Sequence, residues 1–98
     1  MRIELKKFGT LLTSRPAGKE AYAAFLPTLA EIGPDENVEV DFDGITVFSP
    51  SWGDEFLTPL FEKYGSRVAL LHTEKNPSVR LTLTFLKQIG AGKFSEDK

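Results

Sequence analysis

Between Arg2 and Phe8 apolar and charged positions alternate, with Ile3 and Leu5 on one face, which is the period-two signature of a half-buried strand. Gly9-Thr10 reads as a turn and Leu11 to Thr13 as a short returning strand, so an N-terminal hairpin is expected. The period then changes. In SRPAGKEAYAAFLPTLAEIG, Ala21, Phe25, Leu29 and Ile32 recur at helical spacing, and Pro16 suits a first turn, where its missing N–H has no helical partner to lose. A helix is predicted over residues 17–32. Pro27 inside it predicts a kink or an early end, and Gly33-Pro34 stops it. Val38, Val40 and Phe42 alternate with Glu39 and Asp41 in a strand over Asn37 to Phe42.

Beyond the next loop, Trp52, Phe56, Leu60 and Tyr64, flanked by Leu57 and Phe61, form a broad apolar stripe that predicts a helix over residues 51–64, with Pro59 awkward in its interior. Val68 to Leu71 is a nearly continuous apolar run, of the kind parallel sheets bury on both faces. NPSVRLTLTFLKQIG is ambiguous: Val79, Leu81, Leu83 and Phe85 alternate like a strand. Asn76-Pro77 makes a good cap and first-turn pair, however, Val79, Leu83 and Leu86 share a helical face, and Gly90 can end it. A helix over 77–89 is predicted. The order of elements implies the α/β class: one small domain over residues 1–90 with a central parallel or mixed sheet and helices packed on it, followed by a polar, flexible tail over 91–98.

The chain of 98 residues suits one core, and a hydrophobic share of 41% is too high for a disordered protein. A formal charge of −2, from 12 basic and 14 acidic residues, leaves no basic stripe for phosphates, which argues against nucleic acid. No apolar run approaches the ~20 residues that span a bilayer, and MRIELKKFG alternates where a signal peptide would be continuously apolar. A cytoplasmic protein away from the membrane is expected. Without cysteine there is no disulfide or thiolate chemistry. GAGKF lacks the first glycine and the Ser/Thr of a phosphate-binding loop.

The chemistry concentrates in VEVDFDGITVFSPSWGDEF. DFDG resembles the nucleophile loop of haloacid-dehalogenase phosphatases, with Asp41 as nucleophile and Asp43 as acid. The chain is too short for that fold, Ile45 stands where those enzymes carry Thr or Val, and no acidic pair follows downstream. The simpler reading makes Asp41 a solvent-facing strand residue and Asp43-Gly44 a turn. Ser49 can cap the second helix with Pro50 in its first turn, or Ser51 can cap it with Asp54 three residues on.

Ligands of open α/β sheets gather beyond the carboxyl ends of the strands, which here brings together Asp43, Ser49, Ser51, Trp52, His72 and Asn76. His72 is the only histidine, so no histidine pair can ligate a metal, and a catalytic dyad would have to join Ser51 to His72. A single histidine at a strand end is usually a surface residue. Arg15 could meet a phosphate or an acidic partner, or simply be solvated. Trp52 is a partner anchor if exposed and core if buried.

LLTSRPAGKEAYAAFL, VEVDFDGITVFSPSWGDEFL and NPSVRLTLTFLKQ together resemble the bacterial STAS-like domain family, a relative of the sulfate-transporter and anti-sigma-factor-antagonist fold, over roughly Phe8 to Gln88. Ser14-Arg15, Asp41-Phe42, Gly44-Ile45, Ser51 and Asp54-Glu55 carry the likeness. In the antagonists, a serine at the start of a helix is phosphorylated by a partner kinase that also holds a sigma factor. The resemblance puts Ser51 at that position and Ser49 where an Asp is usual. Trp52 replaces the small residue after the serine, and Asp54 and Glu55 would repel a phosphate. The implied function is a non-enzymatic regulatory domain, without metal or cofactor, whose partner is a kinase or anti-sigma-like protein. The alternative is a binder of a small ligand or nucleotide at the strand ends.

Overall fold

Each of the three α-helices among the described residues begins on a capping side chain followed closely by proline. The computed structural model describes residues 1–90; the expected tail at 91–98 lies outside the described residues. Helix α1, Arg15–Leu29, is capped by Ser14, whose Oγ accepts the Ala17 N–H at 3.2 Å. Helix α2, Pro50–Tyr64, is capped by Ser49, and helix α3, Pro77–Gly90, by Asn76, whose Oδ1 accepts the Ser78 N–H at 2.8 Å. These caps satisfy N–H groups that have no partner inside the helix. Helix α1 ends just past Pro27, earlier than the predicted residue 32, whereas α2 continues through Pro59 to Tyr64. The last segment is a helix, as its cap and its Val79, Leu83 and Leu86 face require; all three side chains are buried.

Strands β1 (Arg2–Glu4), β3 (Val38–Asp41) and β5 (Val68–Leu71) form a parallel sheet with β3 in the centre, and β2 (Leu11–Leu12) pairs in parallel with β4 (Val47–Phe48). The expected N-terminal hairpin is therefore absent. Leu5–Phe8 closes into a 3₁₀ turn that redirects the chain, and β2 finds its partner in β4 instead of β1.

Ile3, Val38, Val40 and Val68 point from the sheet into the helical layer and are buried. The opposite face carries Arg2, Glu39, Asp41 and Ala69 in register, with Ala69 exposed. The expectation that β5 is buried on both faces thus fails, because β5 is an edge strand and, among the described residues, the helices cover one face only.

Aromatic rings fill the space between the sheet and the helices. Trp52 stacks on Phe56 at 5.0 Å, with Phe48 meeting Trp52 edge-on at 6.1 Å. Phe48 also fixes α3 beside α2. Its N–H donates to Ser78 Oγ at 3.1 Å, and its carbonyl accepts the buried Thr82 hydroxyl at 2.6 Å. Gly53 lets the layers meet: a Cβ there would stand 2.8 Å from the Phe48 ring and 2.9 Å from Leu86.

Candidate functional site

Two places bring candidate residues together. The first is the start of α2. Ser49 Oγ accepts the Trp52 N–H at 3.3 Å and donates to the Thr13 carbonyl at 2.8 Å, so its hydroxyl is committed to holding the helix to the segment after β2. Of the two capping schemes compatible with the sequence, the Ser49-Pro50 scheme is the one adopted, and Ser51 lies free of that duty in the first turn, half-buried. Trp52 is only 1% exposed and belongs to the core, which removes it as a partner anchor.

Large apolar side chains do reach the surface beside Pro50, from α3. Leu81 is 74% exposed and Phe85 46%, and with Pro50, Thr84 and Gln88 they line an open hollow of about 420 Å³. Sequence reasoning missed this pair. The signal was present in the helical reading itself, since a face of Val79, Leu83 and Leu86 turns Leu81 and Phe85 away from the core.

Arg15 lies at the start of α1, where its Nη1 bonds Glu55 Oε2 at 2.6 Å and Asp54 Oδ2 at 3.0 Å. Both carboxylates raise the guanidinium above its ordinary value, Glu55 the more strongly. Asp54 also accepts the Thr58 hydroxyl at 2.7 Å. The acidic pair that would repel a phosphate on Ser51 is therefore partly offset by Arg15 within the same chain.

The second place lies beyond the ends of β3 and β5. Asp41 is 6% exposed, contrary to the expectation of a solvent-facing residue. It projects from the open face of the sheet as the alternation requires, but the next loop and the β1 side chain fold over it. Its Oδ1 accepts the Asp43 N–H at 2.9 Å and meets His72 Nδ1 at 2.6 Å, while Arg2 reaches Oδ2 at 3.4 Å. Burial pushes this carboxyl up, but the Asp43 N–H, the His72 ring and the Arg2 charge together hold it below the usual aspartate range. Oδ1 is thus committed to the Asp43 N–H and His72, and Oδ2 faces Arg2.

His72 has φ 59°, and among the described residues it alone is a non-glycine in the left-handed region. Such a conformation costs roughly 1–2 kcal/mol, and the bond to Asp41 helps to hold it. Asp43-Gly44 forms the expected turn, closed by the Ile45 N–H on the Phe42 carbonyl at 3.2 Å, with Gly44 at φ 86° where a type II turn favours glycine. Asn76 ties this turn to α3 by donating to the Ile45 and Thr46 carbonyls at 2.7 and 2.9 Å.

Asp43, His72 and Asn76 thus share one hollow of about 170 Å³ with Lys75, as their position at the strand ends led us to expect. Ser49, Ser51 and Trp52 do not join them, and no hydrogen bond links Ser51 to His72. Among the described residues no group of three or more His, Cys, Asp or Glu could hold a metal, and no helix is long and apolar enough to cross a membrane.

No curated protein and no solved structure matches this chain. One family model does, over residues 17–79, well over half of the chain and including the Asp41 to Glu55 segment and His72. With its three helices, its parallel sheets and that match, the chain belongs to the family described as STAS-like domain of unknown function (DUF4325).

Proposed function

We propose that this domain works as a non-catalytic, cytoplasmic regulatory module, docking a protein partner on the surface formed by the first turn of α2 and the outer face of α3. The observation that carries the reading is the exposure of Leu81 and Phe85 next to Pro50. Large apolar groups on a rigid helix are what partner surfaces bury at their centre. The resemblance to anti-sigma-factor antagonists suggests a kinase or anti-sigma-like protein as the partner and phosphorylation of Ser51 as the switch. Ser51 suits that role because its hydroxyl is not the helix cap and a phosphate there would meet the positive end of the α2 dipole. Ser49 suits it poorly, since modification would break the cap.

The test is affinity capture from the native organism with wild-type protein, with Leu81→Ser/Phe85→Ser and with Ser51→Asp, alongside phosphosite mass spectrometry across growth phases. A partner held by the wild type, lost from the double variant and weakened by Ser51→Asp is expected. Identical capture by all three proteins would refute the docking surface, and a consistently unmodified Ser51 would refute the switch.

A further inference from the structure

The hollow at the ends of β3 and β5 is unrelated to the docking surface and holds three polar groups without protein partners. Asp43, Lys75 and His72 are among the residues that line it, and neither the Asp43 nor the Lys75 charge forms an ion pair with the other or with another described residue. Asp43 and Lys75 are both exposed, on the β3–β4 turn and on the loop before α3. Asn76 locks those two loops together through Ile45 and Thr46, so the opposite charges are held on a fixed frame.

His72 is prepared for a particular contact. An ionised Asp41 can only accept, so the His72 nitrogen 2.6 Å away must be the donor. The other ring nitrogen, Nε2, makes no hydrogen bond to a described residue. The left-handed backbone at residue 72 is consistent with a functional demand, because such strain persists where the surroundings impose it.

The two charges select the ligand. A simple anion would be repelled by Asp43 and a simple cation by Lys75, whereas a molecule carrying both signs satisfies both. We propose that this hollow binds a small zwitterion of the amino-acid type, its ammonium group donating to the Asp43 carboxylate and its carboxylate received by Lys75, with the His72 ring beside them. A hollow of about 170 Å³ suits the α-ammonium and α-carboxylate groups of such a small molecule.

The experiment is a ¹H–¹⁵N correlation titration of the full chain with each of the free L-amino acids, with acetate and methylammonium as single-charge controls. At least one amino acid should give saturable shifts at the Asp43, Gly44, His72 and Lys75 amides at millimolar concentration or below, with the controls inactive. Lys75→Met and Asp43→Asn, both at exposed positions, should each weaken that binding by about tenfold or more while leaving the rest of the spectrum unchanged. The proposal is overturned if no amino acid saturates those amides, if a single-charge control shifts them as strongly, or if either variant binds like the wild type. None of these results bears on partner docking, which uses Pro50, Leu81 and Phe85.

Discussion

Gly18 of α1 lies against the backbone of Trp52 in α2, so close that a Cβ on it would stand 2.7 Å from the Trp52 carbonyl oxygen and 3.0 Å from its Cα. The contact sets how near the two helices approach. Gly18→Ala should gain about 1 kcal/mol of helix propensity but lose roughly 1–3 kcal/mol to overpacking against backbone that cannot yield. A lower melting temperature is expected by calorimetry; a higher one would show that the helices separate without penalty.

The two serines at the start of α2 should separate cleanly. Ser49→Ala removes the cap and the bond to Thr13, for a loss of about 0.5–2 kcal/mol in urea denaturation. Ser51→Ala should stay within about 0.5 kcal/mol of wild type. Ser51→Asp should match or slightly exceed wild-type stability, since a negative charge in the first turn gains roughly 0.3–1 kcal/mol from the helix dipole. Equal losses at both serines would mean that the cap is shared.

Asp41 predicts an acid-dependent stability. Its carboxyl is held below its ordinary value, so its contribution is complete above the unfolded-state pKa of about 3.9 and is lost as pH falls further, through the folded-state value. Wild type should therefore lose stability below about pH 4 more steeply than Asp41→Asn, which should be weaker at neutral pH by about 1–3 kcal/mol. Parallel curves for the two proteins between neutral and acid pH would contradict this account.

On α3, two substitutions one residue apart should behave oppositely. Thr82→Val deletes the buried hydroxyl that bonds the Phe48 carbonyl at 2.6 Å, with an expected loss of about 1–3 kcal/mol. Leu81→Ser, at a position 74% exposed, should change stability by no more than about 0.5 kcal/mol. Chemical denaturation of both variants checks the difference; a large loss from Leu81→Ser would place that side chain in the core.

The helices were legible because their signals are local. Pro16, Ser49-Pro50 and Asn76-Pro77 each mark the start of a helix, although the choice between Ser49 and Ser51 as cap stayed open, and Asn76-Pro77 outweighed the alternation of Val79, Leu81, Leu83 and Phe85. The pairing of β2 was not legible. Two short apolar runs around Gly9-Thr10 look alike whether the second turns back on the first or crosses to a strand some 36 residues away, and only tertiary packing decides. Asp41 shows the same limit. Alternation assigned it correctly to the outer face of the sheet, but Arg2 and His72, which cover it, come from distant parts of the chain. The grouping of Asp43, His72 and Asn76 was readable from topology alone, whereas Lys75 and the left-handed turn at His72 have no signature in sequence.

Among the described residues every strand pairing is parallel and joins distant residues: Arg2 with Glu39, Leu11 with Val47, Val38 with Val68. No two-strand ribbon can therefore form early and template the rest, and each strand must await the placement of an intervening helix. Folding rates fall as the mean sequence separation of contacts rises, so this chain should fold more slowly than a helical bundle of equal length. In this scheme the docking of the helix between two strands, α1 for β1–β3 and β2–β4 and α2 for β3–β5, precedes their productive pairing. Variants that loosen that docking will prolong the life of partly folded chains with bare strand edges, and their defect in cells will appear as insoluble protein.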